Sequence, residues 1–287
     1  MATDDLTLQQ AADQLGVHYM TVYRYVRLGL LTAVKSGGTW RVSVADLDAF
    51  RAGSATSPQP EGGGRRRVPW AERLESRLLV GDSRGAWGVV ESAMAAGTDL
   101  DEIYTDVLSP ALASIGERWE RGELDISIEH RATGIVMRLI GRLGPRFVRR
   151  GRTRGAVVIG APTGEMHSLP IALLSDLVRK HGWEVSDLGA DVPASAFVHA
   201  TLTTPDTVAV GVSVTFREHL PAAASAVAAV REAAPHVLVV VGGYAVQNVD
   251  DGLAIGAHAV ALDAKGFVAL LDDVRVDSAR TDEVVEH

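Results

Sequence analysis

The 287-residue sequence contains no cysteine. Disulfides, zinc ribbons and thiol catalysis are excluded with it, so a metal must be held by histidine or carboxylate, or arrive inside a cofactor. Long apolar runs are missing too. None approaches the roughly eighteen residues that a bilayer-spanning helix needs, and the opening MATDDLTLQQ lacks the apolar core of a secretory signal. A cytoplasmic protein without membrane contact is expected. There is no excess of positive charge: 28 Lys and Arg stand against 36 Asp and Glu, a net charge of −8. That argues against non-specific coating of nucleic acid, while leaving room for a small local DNA-binding surface. Two motifs are also absent. The runs GVSV and VVVGGY lack the G-x-G-x-x-G spacing of dinucleotide binding, and there is no His-Glu-x-x-His metal site.

What is present divides into segments. The stretch AGSATSPQPEGGGRRRVP, residues 52 to 69, has almost no side chains that pack, and reads as a linker. The expected organisation is a small unit at 1–52, a linker at 53–69, a helical region at 70–150, an α/β domain at 151–274 and a disordered acidic tail at 275–287.

The α/β section is the most legible. The apolar runs AVVIG, WEVSDLG, TVAVGVSV, VLVVVGG and AHAVALD alternate with helical patterns such as SLPIALLSDLVRKHG. Repeated strand–helix units with continuous apolar strands imply a parallel sheet covered on both faces, a doubly wound Rossmann-like or flavodoxin-like domain. Upstream, Asp82, Thr98 and Asp125 precede amphipathic runs, and Gly81, Gly97 and Gly122 offer stops, which predicts a four-helix bundle.

In the first unit, LTLQQAADQLGVHYMTVYRYVRLGLL has helix-turn-helix spacing. Thr7 caps a first helix whose inward stripe is Leu8, Ala11, Ala12 and Leu15; Gly16 makes the turn and Val17 plugs the angle. Val22 and Val26 bury the second helix, leaving Tyr19, Thr21, Arg24 and Arg27 for a DNA groove. AVKSGGTWRVS reads as a two-stranded wing about Gly37-Gly38, with Lys35 and Arg41 available to phosphates, and Ser43 caps a closing helix. This order, over residues 6 to 51, resembles the excisionase and MerR-type winged DNA-binding domains. Such a small unit needs several copies on repeated half-sites, so an oligomer is implied.

One histidine stands out. His167 lies in GAPTGEMHSLP, the loop leaving the first strand of the α/β section, where open sheets bind ligands. From Glu165-x-His167, residues 171 to 212 lead to Ser213-Val214-Thr215, and residues 216 to 241 lead to Gly242-Gly243. These groups close strands one, three and four. The spacing resembles the cobalamin-binding domain that holds its cofactor base-off, with Glu165 in place of the family's Asp and Pro170 in place of its Gly. The resemblance implies that His167 is the lower ligand of cobalt, that Ser213 and Thr215 line the slot for the nucleotide tail, and that Gly242 and Gly243 let that tail approach the backbone. The Glu165 carboxylate would orient the imidazole.

The helical region carries a second resemblance. Trp119, nine residues, then Glu129-His130 is the signature of the MerR-type, adenosylcobalamin-dependent light sensors of the CarH type, whose domain order is also the same. It implies Trp119, Glu129 and His130 around the adenosyl group, a dark oligomer (a homotetramer) on operator DNA, and release of that DNA in light. The chain departs from the family at Glu120, where the best-known members have a histidine. The expectation is a cytoplasmic, nucleoid-associated repressor and not an enzyme. A light-independent cobalamin sensor or a corrinoid methyl carrier would use the same His167 loop.

Overall fold

The computed structural model describes residues 5–15, 22, 25–26, 31–36, 39–51, 68–149 and 151–285. The chain forms two compact units, Met1–Arg67 and Val68–His287.

In the first unit, strand β1 (Asp5–Thr7) leads directly into helix α1 (Leu8–Leu15). Thr7 caps the helix reciprocally: its Oγ1 accepts from the Gln10 amide at 3.2 Å, and Gln10 Oε1 accepts from the Thr7 amide at 2.9 Å. Strands β2 (Val34–Ser36) and β3 (Thr39–Ser43) pair antiparallel, and β1 adds to the other edge of β3. This third strand was not expected; three residues are too few to show alternation. Ser43 Oγ accepts from the Asp46 amide at 3.1 Å and starts helix α2 (Val44–Arg51), as read. Leu8, Ala11, Ala12, Val22, Val26, Leu31, Val42 and Leu47 form one core. Tyr19, Thr21, Arg24 and Arg27 lie outside the described residues. Lys35 lies on β2 opposite Trp40, with its side chain outside the described part, and the half-buried Arg41 lies on β3 opposite Val34.

The second unit opens with the bundle: α3 (Trp70–Leu79), α4 (Ser83–Ala95), a long helix made of α5 (Leu100–Glu102), a π turn (Ile103–Leu108) and α6 (Ser109–Glu120), then α7 (Ile126–Leu143). Asp82 and Asp125 cap α4 and α7, each accepting a backbone N–H at 2.8 Å. The long helix starts one residue later than expected: Asp99 forms the capping box with Glu102, where Thr98 was read as the start. Pro110 accounts for the π turn. It has no N–H for the Asp106 carbonyl, so the helix widens there, and Ser109 donates both its amide and its Oγ (2.8 Å) to the Tyr104 carbonyl.

The sheet follows, with β4 (Ala156–Pro162), α8 (Leu169–Lys180), β5 (Glu184–Val192), α9 (Ala194–Thr203), β6 (Thr207–Ser213), α10 (Leu220–Ala233), β7 (Leu238–Gly242), α11 (Val249–Ala254), β8 (Ala259–Ala261) and α12 (Ala264–Val285). Its order is β5-β4-β6-β7-β8, all parallel, which is the doubly wound flavodoxin-like order. Every residue of β4 is buried. Val158 faces one core with Val210, Val212 and Phe197, while Val157 and Ile159 face the other with Ile171, Val178 and Phe267. The switch point of the sheet falls between β4 and β6, and puts the loop after β4 beside the loop after β6.

The tail differs from expectation. Helix α12 runs on to Val285 where disorder was expected from 275. After Gly266 the sequence holds no Gly or Pro to stop it. Among the described residues, no helix is long and apolar enough to cross a membrane.

At the β7–β8 edge, His258 Nδ1 accepts from the Val239 amide at 3.0 Å, and the His258 amide donates to the Val239 carbonyl at 2.9 Å. Burial, with Arg231 adding to it, lowers the imidazole below its ordinary 6.5. Protonation would destroy the acceptor, so the folded state binds this proton more weakly than the unfolded chain does. The stability tied to this contact is therefore present above pH 6.5 and is lost as pH falls through the window below it. An NMR titration should show the His258 ring and the Val239 amide shifting together with a midpoint under 6.5; a midpoint above it would refute the assignment.

Candidate functional site

The loop between β4 and α8 is built around Glu165. Its carboxylate is buried, 1% exposed, and its two oxygens have different duties. Oε1 accepts from Nδ1 of His167, a close contact, and from the His167 amide at 3.2 Å. Oε2 accepts from the amides of Thr215 at 2.7 Å and Phe216 at 3.1 Å, in the loop beyond β6. Burial alone would push this carboxyl up. The hydrogen bonds from the His167 ring and from the Phe216, Thr215 and His167 amides outweigh it and hold the group at about 2. Glu165 thus remains an anion that locks the histidine loop to the β6 loop.

His167 is held by that anion through one nitrogen only. The Glu165 hydrogen bond raises the imidazole, burial opposes, and the charges of Glu165 and Glu129 add to the rise. The ring is 41% exposed on its side chain and stands edge-on to Phe216, with centroids 5.0 Å apart. With Nδ1–H directed to a carboxylate, the neutral ring keeps an unprotonated Nε2, a metal-ligating nitrogen backed by a hydrogen-bonded anion. Among the described residues no three His, Asp or Glu gather to hold a free metal ion. A lone imidazole fits a metal whose other positions are filled by its own macrocycle, so the donor set suits a corrin-bound cobalt. Pro170 sits in the first turn of α8, where its missing N–H costs nothing.

Ser213 ends β6 and pairs with Gly242 at the end of β7, so the expected Ser-x-Thr and Gly-Gly groups do lie side by side. The glycines, however, are already required by the chain itself. A Cβ on Gly242 would lie 2.5 Å from the Ala261 carbonyl oxygen, and one on Gly243 2.5 Å from that of Val214.

From the bundle, Trp119 lies half-buried near the end of α6, and Glu120 is exposed. On α7, Glu129 is bonded to the His130 ring at 2.6 Å and to Thr133 Oγ1 at 2.7 Å, and its charge is felt at His167. His130 is largely exposed. Tyr244, just past the glycines, is raised by burial and by the charges of Glu117 and Glu120 on α6. The bundle's signature end therefore faces the carboxyl end of the sheet.

Three contributors were not expected. Phe216 packs on the imidazole, and Tyr244 faces α6. Asp191, at φ 55°, accepts from the Gly164 amide at 2.8 Å and donates its own amide to the Glu165 carbonyl at 2.9 Å, bracing the loop from β5. Nothing in the local sequence separates Asp191 from an ordinary turn aspartate.

Comparison with known proteins agrees with this architecture. Residues 155–271 match the B12 binding domain family, residues 70–143 a second B12 binding domain family, and residues 6–54 a helix-turn-helix domain family. The chain is 30% identical to trimethylamine corrinoid protein 1 of Methanosarcina acetivorans over 41% of its own length and 56% of that protein, so it spans little more than half of such relatives. It is 29% identical to the HTH-type transcriptional repressor CarA of Myxococcus xanthus over 73% of this chain and 72% of that one. The solved monomethylamine corrinoid protein of Methanosarcina barkeri shares the fold, with TM-score 0.62 and 20% identity, covering 71% of this chain and 98% of that one. A helix-turn-helix unit joined to a helical and a Rossmann-like B12-binding domain defines the class. This is the domain set of the MerR-type cobalamin-dependent transcriptional regulators of the CarH type, which the chain resembles over nearly three quarters of its length.

Proposed function

We propose that this protein is an adenosylcobalamin-dependent, light-responsive repressor. The observation that carries the reading is the tethered His167, with Nδ1 on the buried Glu165 and Nε2 left for cobalt. In this reading His167 would hold the cobalt, Ser213 and Thr215 would line the slot for the nucleotide tail beside Gly242 and Gly243, and Trp119, Glu129 and His130 would enclose the cofactor from the bundle side. When bound there, adenosylcobalamin supplies a cobalt–carbon bond that green light breaks. Trp119, Glu129 and His130 fix the bundle against the sheet around the filled upper space, and relax when that space changes.

In the dark the fixed arrangement favours a homotetramer that presents several helix-turn-helix units, with Tyr19, Thr21, Arg24 and Arg27 in the groove and Lys35 and Arg41 on phosphates. Loss of the oligomer would forfeit an avidity gain of about 10²–10⁴. Glu120 offers a carboxylate where related sensors offer an imidazole, so a second histidine ligand after illumination is not expected from that position.

The test is purification with adenosylcobalamin in darkness, with the visible spectrum, the mass on a column and operator binding recorded before and after green light. A dark oligomer that binds DNA and falls apart in light is expected. A changed spectrum at unchanged mass would remove the light switch and leave a cobalamin sensor. The match to trimethylamine corrinoid protein favours one rival, a corrinoid methyl carrier. That rival would take up methyl groups from a partner enzyme and show no operator binding.

A further inference from the structure

Helix α8 belongs to two cores at once. Leu169, Leu173 and Leu177 pack in the bundle core, whereas Ile171 and Val178 pack under the sheet. The helix begins two residues after His167, so a shift of α8 along the bundle is a shift of the imidazole. Apolar packing is non-directional and tolerates small sliding. Directional contacts between α8 and the bundle gather instead in its second half. Tyr104 Oη donates to Asp176 Oδ2 at 2.8 Å, and Lys180 Nζ pairs with Asp101 Oδ2 at 2.8 Å. Both bundle partners lie where α5 enters the π turn.

The Asp176 node is buried on every side. Tyr104 is fully buried, with its ring 4.4 Å from that of Phe147, and Asp176 is 5% exposed. Arg179 Nη1 donates to the other Asp176 oxygen at 3.0 Å, and Arg179 Nη2 reaches the Val185 carbonyl on β5 at 3.3 Å. Gly144, at the end of α7, lies so close that a Cβ there would sit 3.2 Å from Asp176 Oδ2. Burial, together with Asp176, pushes the Tyr104 phenol far up, so it remains a donor. The Asp176 carboxylate therefore ties the π turn to α8, and through Arg179 to the edge strand.

We infer that the Tyr104–Asp176 hydrogen bond is the pivot that couples the position of His167 to the orientation of the bundle. It clamps the far half of α8, nine positions on from His167 and about 10 Å along the helix axis from the first helical residue, Leu169. The His167 end is left to respond to what occupies the site. Tyr104 and Asp176 are positioning residues in this scheme, which rests on the cofactor reading above.

The absence of cysteine makes the test direct. Val80→Cys on the bundle and Leu202→Cys on α9, both well exposed in the wild type, take spin labels. Their distance distribution is read by pulsed electron resonance, first without cofactor and then with adenosylcobalamin in darkness. Tyr104→Phe keeps the ring on Phe147 and leaves Asp176 paired with Arg179, so the fold is retained. Without cofactor, orientations away from the wild-type distance should become about tenfold more populated, the scale set by loss of a hydrogen bond to a charged group. With cofactor, the variant should bind within about threefold of wild type and show the same histidine-coordinated spectrum, while its distances fail to converge on the wild-type value. Wild-type distances in Tyr104→Phe in both states would overturn the pivot. Failure of the underlying cofactor reading would register separately, in a wild-type spectrum without a histidine ligand.

Discussion

Glu165→Gln is expected to strip histidine-coordinated cobalamin from the chain although the change replaces one oxygen by an amino group. Glu165 Oε2 is committed to the Thr215 and Phe216 amides, which can be satisfied only by an acceptor. In the glutamine variant the carbonyl oxygen must take that side, and the NH₂ group then faces His167. The imidazole can meet this new donor only by accepting at Nδ1, which moves the ring proton to Nε2 and removes the lone pair a metal would use. Loss of such supporting contacts costs about 10–100-fold in metal affinity. His167→Ala should go further and abolish the nitrogen-coordinated spectrum altogether. Absorption titration with cobalamin in darkness checks both variants. Binding by Glu165→Gln within about twofold of wild type, with the same spectrum, would show that the tautomer does not matter. A His167→Ala protein with wild-type uptake, assembly and operator occupancy would remove the basis of the functional reading.

Legibility in the sequence followed the range of the forces involved. Asp82 and Asp125 cap helices where they were read because a cap is satisfied within three residues. Thr98 and Asp99 are rival caps side by side, and Glu102 decides between them by closing a box with Asp99. The central parallel strands β4, β6 and β7 stood out because residues buried on both faces must be continuously apolar. The π turn did not, although Pro110 is its cause, since a proline near a helix start normally reads as a beginning and not as a widened middle. In the site, Glu165-x-His167 was visible as a spacing, and its orientation role was expected from chemistry alone. What could not be read is that the same carboxylate also binds the Thr215 and Phe216 amides, because that contact joins residues fifty apart across the switch point. Asp191, Tyr244 and the Tyr104–Asp176 bond are likewise long-range pairings with no periodic or local mark.

Gly243→Ala should cost roughly 3–5 kcal/mol of folding stability in the cofactor-free chain, a large share of the 5–15 kcal/mol typical of a domain. At φ 99° the residue sits where a side chain is strained, at about 1–3 kcal/mol. The added methyl would also lie 2.5 Å from the Val214 carbonyl oxygen and 2.7 Å from the Val214 nitrogen. Those two atoms already bind the neighbouring loop: the Val214 amide donates to the Gly242 carbonyl at 2.9 Å, and the Ala245 amide donates to the Val214 carbonyl at 3.0 Å. Backbone cannot yield as a flexible side chain can, so at least one of these bonds must open, at about 1 kcal/mol or more. The damage should also travel. Val214 is followed directly by Thr215 and Phe216, whose amides hold Glu165 and through it His167. Stability and cobalamin affinity are therefore expected to fall together, with a melting temperature about 10 °C lower. If glycine were present only to let a ligand approach, alanine would spare the cofactor-free protein and weaken binding alone. Calorimetry without cofactor separates the two cases, and a melting temperature within about 2 °C of wild type would place the demand for glycine on the ligand instead of the sheet edge.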